Sequence, residues 1–198
     1  MPNIHQLGTP TILINNAAIV NGKKLLDLSI DDIDSSFQVN LLSHFYTLKT
    51  FLPGMIRAGC GTIVTISSVL GQIGAAQLSD YSASKAAITA MHKSLAAELR
   101  DMPEIKTVLV TPGQLSTPLF NGVQTPSSFF SPILEPVDVA REVIAAIDAG
   151  SSATLAMPLY ARWIDWMNVV PVGVEAILRR VSGVDRAMRG FVGRKGEE

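Results

Sequence analysis

The sequence predicts an α/β fold built on a mostly parallel sheet. Short apolar runs, two of them rich in β-branched residues, stand at 11–15, 61–66, 105–110 and 153–157 of the 198-residue chain. Helical patterns fill much of the sequence between them. The runs are continuous rather than alternating, which is the pattern of strands buried on both faces.

Thr11-Ile12-Leu13-Ile14-Asn15 is the first strand, flanked by Pro10 and a polar pair. Ser29 then reads as a helix N-cap, with Asp31 and Asp32 favourably placed in the first turn. The helical region beyond it is expected to reach about Leu52 and to stop at Pro53-Gly54. Gly61 to Ile66 is a β-branched strand running into Ser67-Ser68, and Leu70 to Asp80 is a Gly-bearing loop. A helix follows from about Tyr81 to Leu99. Its residues Ala83, Ala86, Ala87, Ala90, Met91, Leu95 and Leu99 form a small-residue face suited to close packing. Ile105 to Val110 is a third strand, stopped by Pro112-Gly113. Residues 114–135 read as a long loop, Pro136-Val137-Asp138 opens a helix to about Ala149, and Ala153 to Met157 is a fourth strand.

Composition removes several function classes. Sixteen Lys and Arg against seventeen Asp and Glu give a net charge of −1, so a protein built to grip a phosphate backbone is not indicated. A mean hydropathy of +0.31 argues against intrinsic disorder. The single cysteine, Cys60, sits in the loop Ala58-Gly59-Cys60-Gly61 and cannot form an internal disulfide, which fits a reducing compartment. Neither a secretory signal nor a transmembrane run is visible. With His5, His44 and His92 as the histidines and no Gly-x-Ser-x-Gly, a serine-hydrolase triad has little support. His44 and His92 fall in helices, where packing explains them better than metal ligation.

The chemistry-bearing set is Asn40, Ser68, Tyr81 and Lys85. Tyr81 and Lys85 stand at i and i+4 on one helix and share a face. Ser68 lies just past the carboxyl end of a strand, where open parallel sheets bind ligands. A phenol is a poor base at neutral pH, and an adjacent ammonium would favour its ionised form. Taken singly, each has an ordinary explanation: a surface pair, a polar helix residue, a turn cap.

Together and in order they resemble the short-chain dehydrogenase/reductase family. The resemblance rests on Ile66-Ser67-Ser68-Val69-Leu70-Gly71 and Asp80-Tyr81-Ser82-Ala83-Ser84-Lys85-Ala86-Ala87. It is strengthened by Asn15-Asn16-Ala17-Ala18 (with Ala18 where the family has Gly), Val39-Asn40-Leu41-Leu42 and Pro112-Gly113-Gln114-Leu115-Ser116-Thr117. The resemblance implies that Tyr81 exchanges a proton with the substrate oxygen. Lys85 would lower the Tyr81 pKa and hold the nicotinamide ribose, while Ser68 bonds the substrate oxygen. Asn40 would anchor a proton-relaying water. Asn16 would lie on the adenosine side of NAD or NADP, with Leu115 and Thr117 at its carboxamide end. It also implies a homo-oligomer assembled through the helix of Tyr81 and Lys85 and the one before it.

The family's Thr-Gly-x-x-x-Gly-x-Gly turn does not occur among these 198 residues. The expected fold is therefore an incomplete Rossmann-type, doubly wound parallel sheet lacking the N-terminal glycine-rich βαβ part, with 11–15 as an unpaired apolar edge. Residues 1–158 would be the partial NAD(P)-binding domain with its catalytic half, and 159–198 a substrate lid or membrane-surface segment. In 159–198, Trp163 and Trp166 accompany seven basic and five acidic residues, and the segment resembles the tails of retinol and 17β-hydroxysteroid dehydrogenase-like members. Phe120, Phe129 and Phe130 suit a greasy pocket.

The function expected is NAD(P)-dependent interconversion of an alcohol and a ketone or aldehyde on a lipophilic substrate. The location expected is intracellular: cytoplasmic, or peripheral on endoplasmic reticulum or lipid droplets. The alternative is a catalytically incompetent remnant that binds a partner or membrane.

Overall fold

Four strands, β1 (Ile12–Asn15), β2 (Gly61–Ile66), β3 (Ile105–Pro112) and β4 (Ala153–Met157), lie side by side in chain order and are parallel throughout. The computed structural model describes residues 8–123, 132–164 and 170–191. Phe129, Phe130, Trp166, Arg194 and Lys195 lie outside them. Parallel strands need long crossovers, and helices supply them. They are α1 (Ile30–Phe37) and α2 (Ser43–Ala58), then α3 (Leu70–Ile73) and α4 (Ser79–Glu98), and then α5 (Pro136–Asp148). Beyond β4 comes α6 (Val172–Ser182).

The helices sandwich the sheet. On one face α2 and α4 bury Leu48, Met55 and Leu99 against Ile63 and Ile105. On the other, Val139 and Val143 of α5 pack on Val64, Val108 and Val110. Among the described residues nothing covers that second face over β1. Ile14 pairs in register with Val64, yet Ile12 and Ile14 are 47% and 50% exposed. The expected apolar edge is there.

The Ser29 cap forms as read. Ser29 Oγ accepts from the Asp32 amide at 3.0 Å while the Asp32 carboxylate accepts from the Ser29 amide at 2.9 Å. Between α1 and α2 the chain widens into a π-helical stretch, Gln38–Leu42, which re-aims Asn40.

Four sequence expectations are corrected. Pro53-Gly54 does not end the helix, since α2 runs on to Ala58 and closes at left-handed Gly59 (φ 64°). Proline removes one helical bond, but the extra turn buries Met55 completely, and apolar burial outweighs the loss. The expected loop at 70–80 opens with the short turn α3. There Gly71 approaches α4 so closely that a Cβ would stand 2.8 Å from the Lys85 carbonyl carbon. Strand β3 continues to Pro112, because the Pro112 carbonyl accepts from the Val69 amide at 3.1 Å. Finally, the small-residue face of α4 divides: Met91, Leu95 and Leu99 pack on the sheet core, and its alanines do not. Ala83, Ala86 and Ala90 are exposed, while Ser84, Lys85, Ile88, Thr89 and His92 are buried.

Candidate active site

The carboxyl ends of the strands position the site. Past Ile66, β2 keeps pairing with β3: the Ser67 amide donates to the Val110 carbonyl at 2.8 Å, and the Val69 amide to that of Pro112. Ser68 is thereby held rigidly between two ladder bonds. Its Oγ accepts from the Leu70 amide at 3.1 Å.

Tyr81 and Lys85 descend on α4 toward this strand end. Lys85 is 2% exposed, and its Nζ donates to the Ile66 carbonyl at 2.9 Å. The same Nζ stands 5.8 Å from the centre of the Tyr81 ring. Tyr81 is 3% exposed, and the Ser68 side chain is close enough to its phenol to favour the ionised form. Phe120 meets the Tyr81 ring edge-on, with centroids 5.6 Å apart. Ser68, Tyr81 and Lys85 are thus brought together.

Burial decides the protonation states. It pushes the Tyr81 phenol up to about 12, against a smaller opposing pull from the Ser68 hydrogen bond. Burial likewise brings Lys85 down to about 8. Sequence reasoning had the lysine lowering the tyrosine pKa; here desolvation wins and the phenol keeps its proton at neutral pH.

Asn40 is fully buried, and its side chain bonds to the segment after β1 and to α4. Oδ1 accepts from the Ile19 amide at 2.8 Å, and Nδ2 donates to the Ile19 carbonyl and to Ser84 Oγ, each at 3.0 Å. It clamps the segment after β1 to α4. Asn16 stands exposed at the tip of β1. Leu115 packs on the cluster of Val64 and Val110 and bridges to Leu134, while Thr117 is half-buried with its amide bonded to the Leu115 carbonyl at 2.9 Å.

The chain beyond β4 returns to this site. Met188, 2% exposed, clusters with Leu78 and Tyr81, and Val20, Phe120 and Phe191 pack around them. The Phe191 ring lies where a side chain on Gly22 would stand. Arg179 of α6 donates to the Ile73 carbonyl at 2.8 Å and to Asp185 at 2.6 Å, fastening the tail to α3.

Sequence reasoning missed Asp80, Asn21, Met188 and Thr111. Asp80 lies beside Tyr81 and is buried, but a lone Asp in a first helical turn has an ordinary dipole explanation. Met188 carries no local signal at all. Among the described residues no group of His, Cys, Asp and Glu could hold a metal ion, and no helix is long and apolar enough to cross a membrane.

The sequence profile of the short chain dehydrogenases matches residues 3–127. The chain belongs to the short-chain dehydrogenase family. Over 193 residues, 96% of the chain, it is 36% identical to epidermal retinol dehydrogenase 2 of Mus musculus, covering 62% of that protein. It is 33% identical to short-chain dehydrogenase/reductase family 16C member 6 of Bos taurus, over 96% of the chain and 61% of the relative. Retinol dehydrogenase 10 of Rattus norvegicus is 31% identical, again over 96% of the chain and 57% of the relative. The chain therefore spans about three-fifths of the length of these curated relatives. Family members are oxidoreductases that use NAD(P).

The residues present suit the nicotinamide end of such a cofactor. A lysine head group and a phenol converge at the strand ends, and Thr111 leaves a buried hydroxyl without a hydrogen-bond partner at the end of β3.

Proposed function

We propose that this chain carries the proton-transfer machinery of an NAD(P)-dependent oxidoreductase interconverting an alcohol and a ketone or aldehyde on a lipophilic substrate. The supporting observation is the convergence of Ser68, Tyr81 and Lys85 at the sheet's carboxyl edge, with Lys85 Nζ 5.8 Å from the Tyr81 ring centre, beside the apolar side chains of Val20, Leu78, Phe120 and Met188.

In carbonyl reduction, Tyr81 gives its proton to the substrate oxygen and Ser68 donates a second hydrogen bond to it, so developing negative charge is met as it forms. The protonated phenol suits this direction. Lys85, buried beside the ring, supplies positive charge as the phenolate appears and would also hold the nicotinamide ribose. Asn40, whose side chain ties Ile19 to Ser84 of α4, would anchor the proton-relaying water. Asn16 would border the adenosine half, and Leu115 and Thr117 the carboxamide. When bound, NAD or NADP supplies or accepts the hydride. The segment 159–198 would act as the substrate lid, a reading supported by Met188 and Phe191, which pack beside Tyr81.

The substrate class rests on the apolar cluster and on relatives named retinol dehydrogenases. A homo-oligomer is supported by the face of α2 and α4 left open in one chain. It is an apolar groove between Phe45, Leu52, Ile56, Met91 and Leu95, flanked by exposed Ala83, Ala86 and Ala90. A membrane-surface location, on endoplasmic reticulum or a lipid droplet, is supported by α6. Its Arg179 turns toward the body while Val174, Ile177 and Leu178 are exposed, as is Trp163.

The test is oxidation of NADH or NADPH by the purified chain with a panel of lipophilic aldehydes and ketones. Ser68→Ala should cut turnover by about tenfold to a thousandfold. An unchanged rate removes Ser68 from the mechanism, and no turnover with no cofactor binding removes the activity from this chain.

A further inference from the structure

Asp80 is 4% exposed. One carboxylate oxygen accepts from Asn21 Nδ2 at 2.7 Å, and the other is buried without a hydrogen-bond partner. Its hydrogen bonding therefore rests on Asn21. A buried carboxylate is costly unless paired, and stranding it costs far more than exchanging one bond for another. The same Asn21 amide also donates to the Asp32 carbonyl at 3.0 Å, so its position is fixed from the α1 side.

Two residues earlier, Asn40 holds both backbone groups of Ile19 and passes the tie on to Ser84. Ser84 Oγ in turn donates to the Tyr81 carbonyl at 2.7 Å. The segment Ile19–Asn21 is thus pinned to α4 twice, at the residue before Tyr81 and three residues after it. Val20, between the pins, packs in the cluster containing Tyr81 and Met188, and Gly22, just beyond, receives the Phe191 ring.

We propose that Asp80 and Asn21 are a positioning pair for Tyr81. They hold the Ile19–Gly22 segment against the first turn of α4 and so fix the wall on which the phenol ring rests. Neither residue touches the reacting atoms. Both act through Val20 and the seat of the tail. The functional half of this inference rests on the reading of Tyr81 as the proton-exchanging group; the structural half does not.

The test uses the full chain labelled with 3-fluorotyrosine. Its three tyrosines are Tyr46, Tyr81 and Tyr160, and each ¹⁹F line is assigned by a Tyr→Phe variant. Asn21→Asp sets two carboxylates face to face. The Tyr81 line should broaden or split while that of Tyr46 stays in place, and kcat for carbonyl reduction should fall about tenfold with cofactor KM little changed. Adding Asp80→Asn restores a donor–acceptor pair of reversed polarity. The line should sharpen again, with kcat recovering to within about threefold of native. If Asn21→Asp does not fold, Asn21→Ala, which withdraws the donor without adding charge, takes its place.

A Tyr81 line unmoved in the single variant overturns the pair. So does a double variant as impaired as the single one, because that is loss of stability rather than of position. Should Tyr81→Phe turn over at the native rate, the proton-transfer reading fails, and the ¹⁹F lines still decide whether the pair positions the ring.

Discussion

Helices α4 and α6 both break the rule of apolar inside and polar outside, at different cost. In α4 the face against the sheet carries Ser84, Lys85, Thr89 and His92, all buried, and the alanines face solvent. In α6 the side fastened to the body is Arg179, and Val174, Ile177 and Leu178 are exposed. The first arrangement costs stability and is kept where hydrogen bonds satisfy it: Lys85 to Ile66, Ser67 with Thr89, His92 with Thr65. The second costs little in the isolated chain and leaves a surface that suits lipid. A polar interior is what chemistry on a substrate oxygen requires; an apolar exterior is what a surface contact requires.

Substitutions can break the comparison on the α4 side with the largest effects. Lys85→Met should abolish turnover yet stabilise the fold at pH 7. The native pKa near 8 lies below the ordinary 10.5, so the unfolded chain binds the proton more strongly. The penalty, about 3 kcal/mol, is in full force below pH 8 and fades as pH rises toward 10.5. Less about 1 kcal/mol for the lost Ile66 bond, denaturant unfolding at pH 7 should show a gain that is absent at pH 10.5.

His44 and His92 sharpen the same point from the acid side. Burial holds both down near 4. The unfolded chain takes up protons as pH falls through 6.5 while the native one declines them until about 4, so stability should drop steadily across that window. His44 has both ring nitrogens without partners. His44→Leu should flatten the drop measured by chemical unfolding at pH 7 and pH 5.

On the α6 side the effects shrink and become local. Arg179→Ala removes the ties to Ile73, Gly74 and Asp185. Limited proteolysis should then cut the tail several-fold faster while the melting of the sheet is little changed. Smallest for the fold is Ile177→Asp, on the exposed side. Stability should stay within about 0.5 kcal/mol of native, while binding to anionic vesicles should weaken clearly. Unchanged vesicle binding would leave α6 with no lipid role.

Much of this was legible in the sequence, for local reasons. The four strands announce themselves by continuous apolar runs, and β4 falls at 153–157 as read. The Ser29 cap is local chemistry. Ser68, Tyr81 and Lys85 came together because strand end and helix face are both set by short-range pattern. What was not legible depends on distant partners. The helix runs past Pro53 because Met55 finds a core built from β2 and α4. The alanine face of α4 points outward because the functional face claims the inside. Asp80 matters through Asn21, fifty-nine residues away, and Met188 through a tail that folds back across the molecule.

The central claim is that the buried phenol of Tyr81 supplies the proton. The measurement closest to it is the rate of carbonyl reduction by Tyr81→Phe beside that of the native chain, at pH 7 with the same cofactor and aldehyde. The phenylalanine ring keeps the packing on Phe120 and Met188 and lacks only the hydroxyl. The account predicts a fall of about a hundredfold or more with melting temperature little changed; a rate within about threefold of native would contradict it.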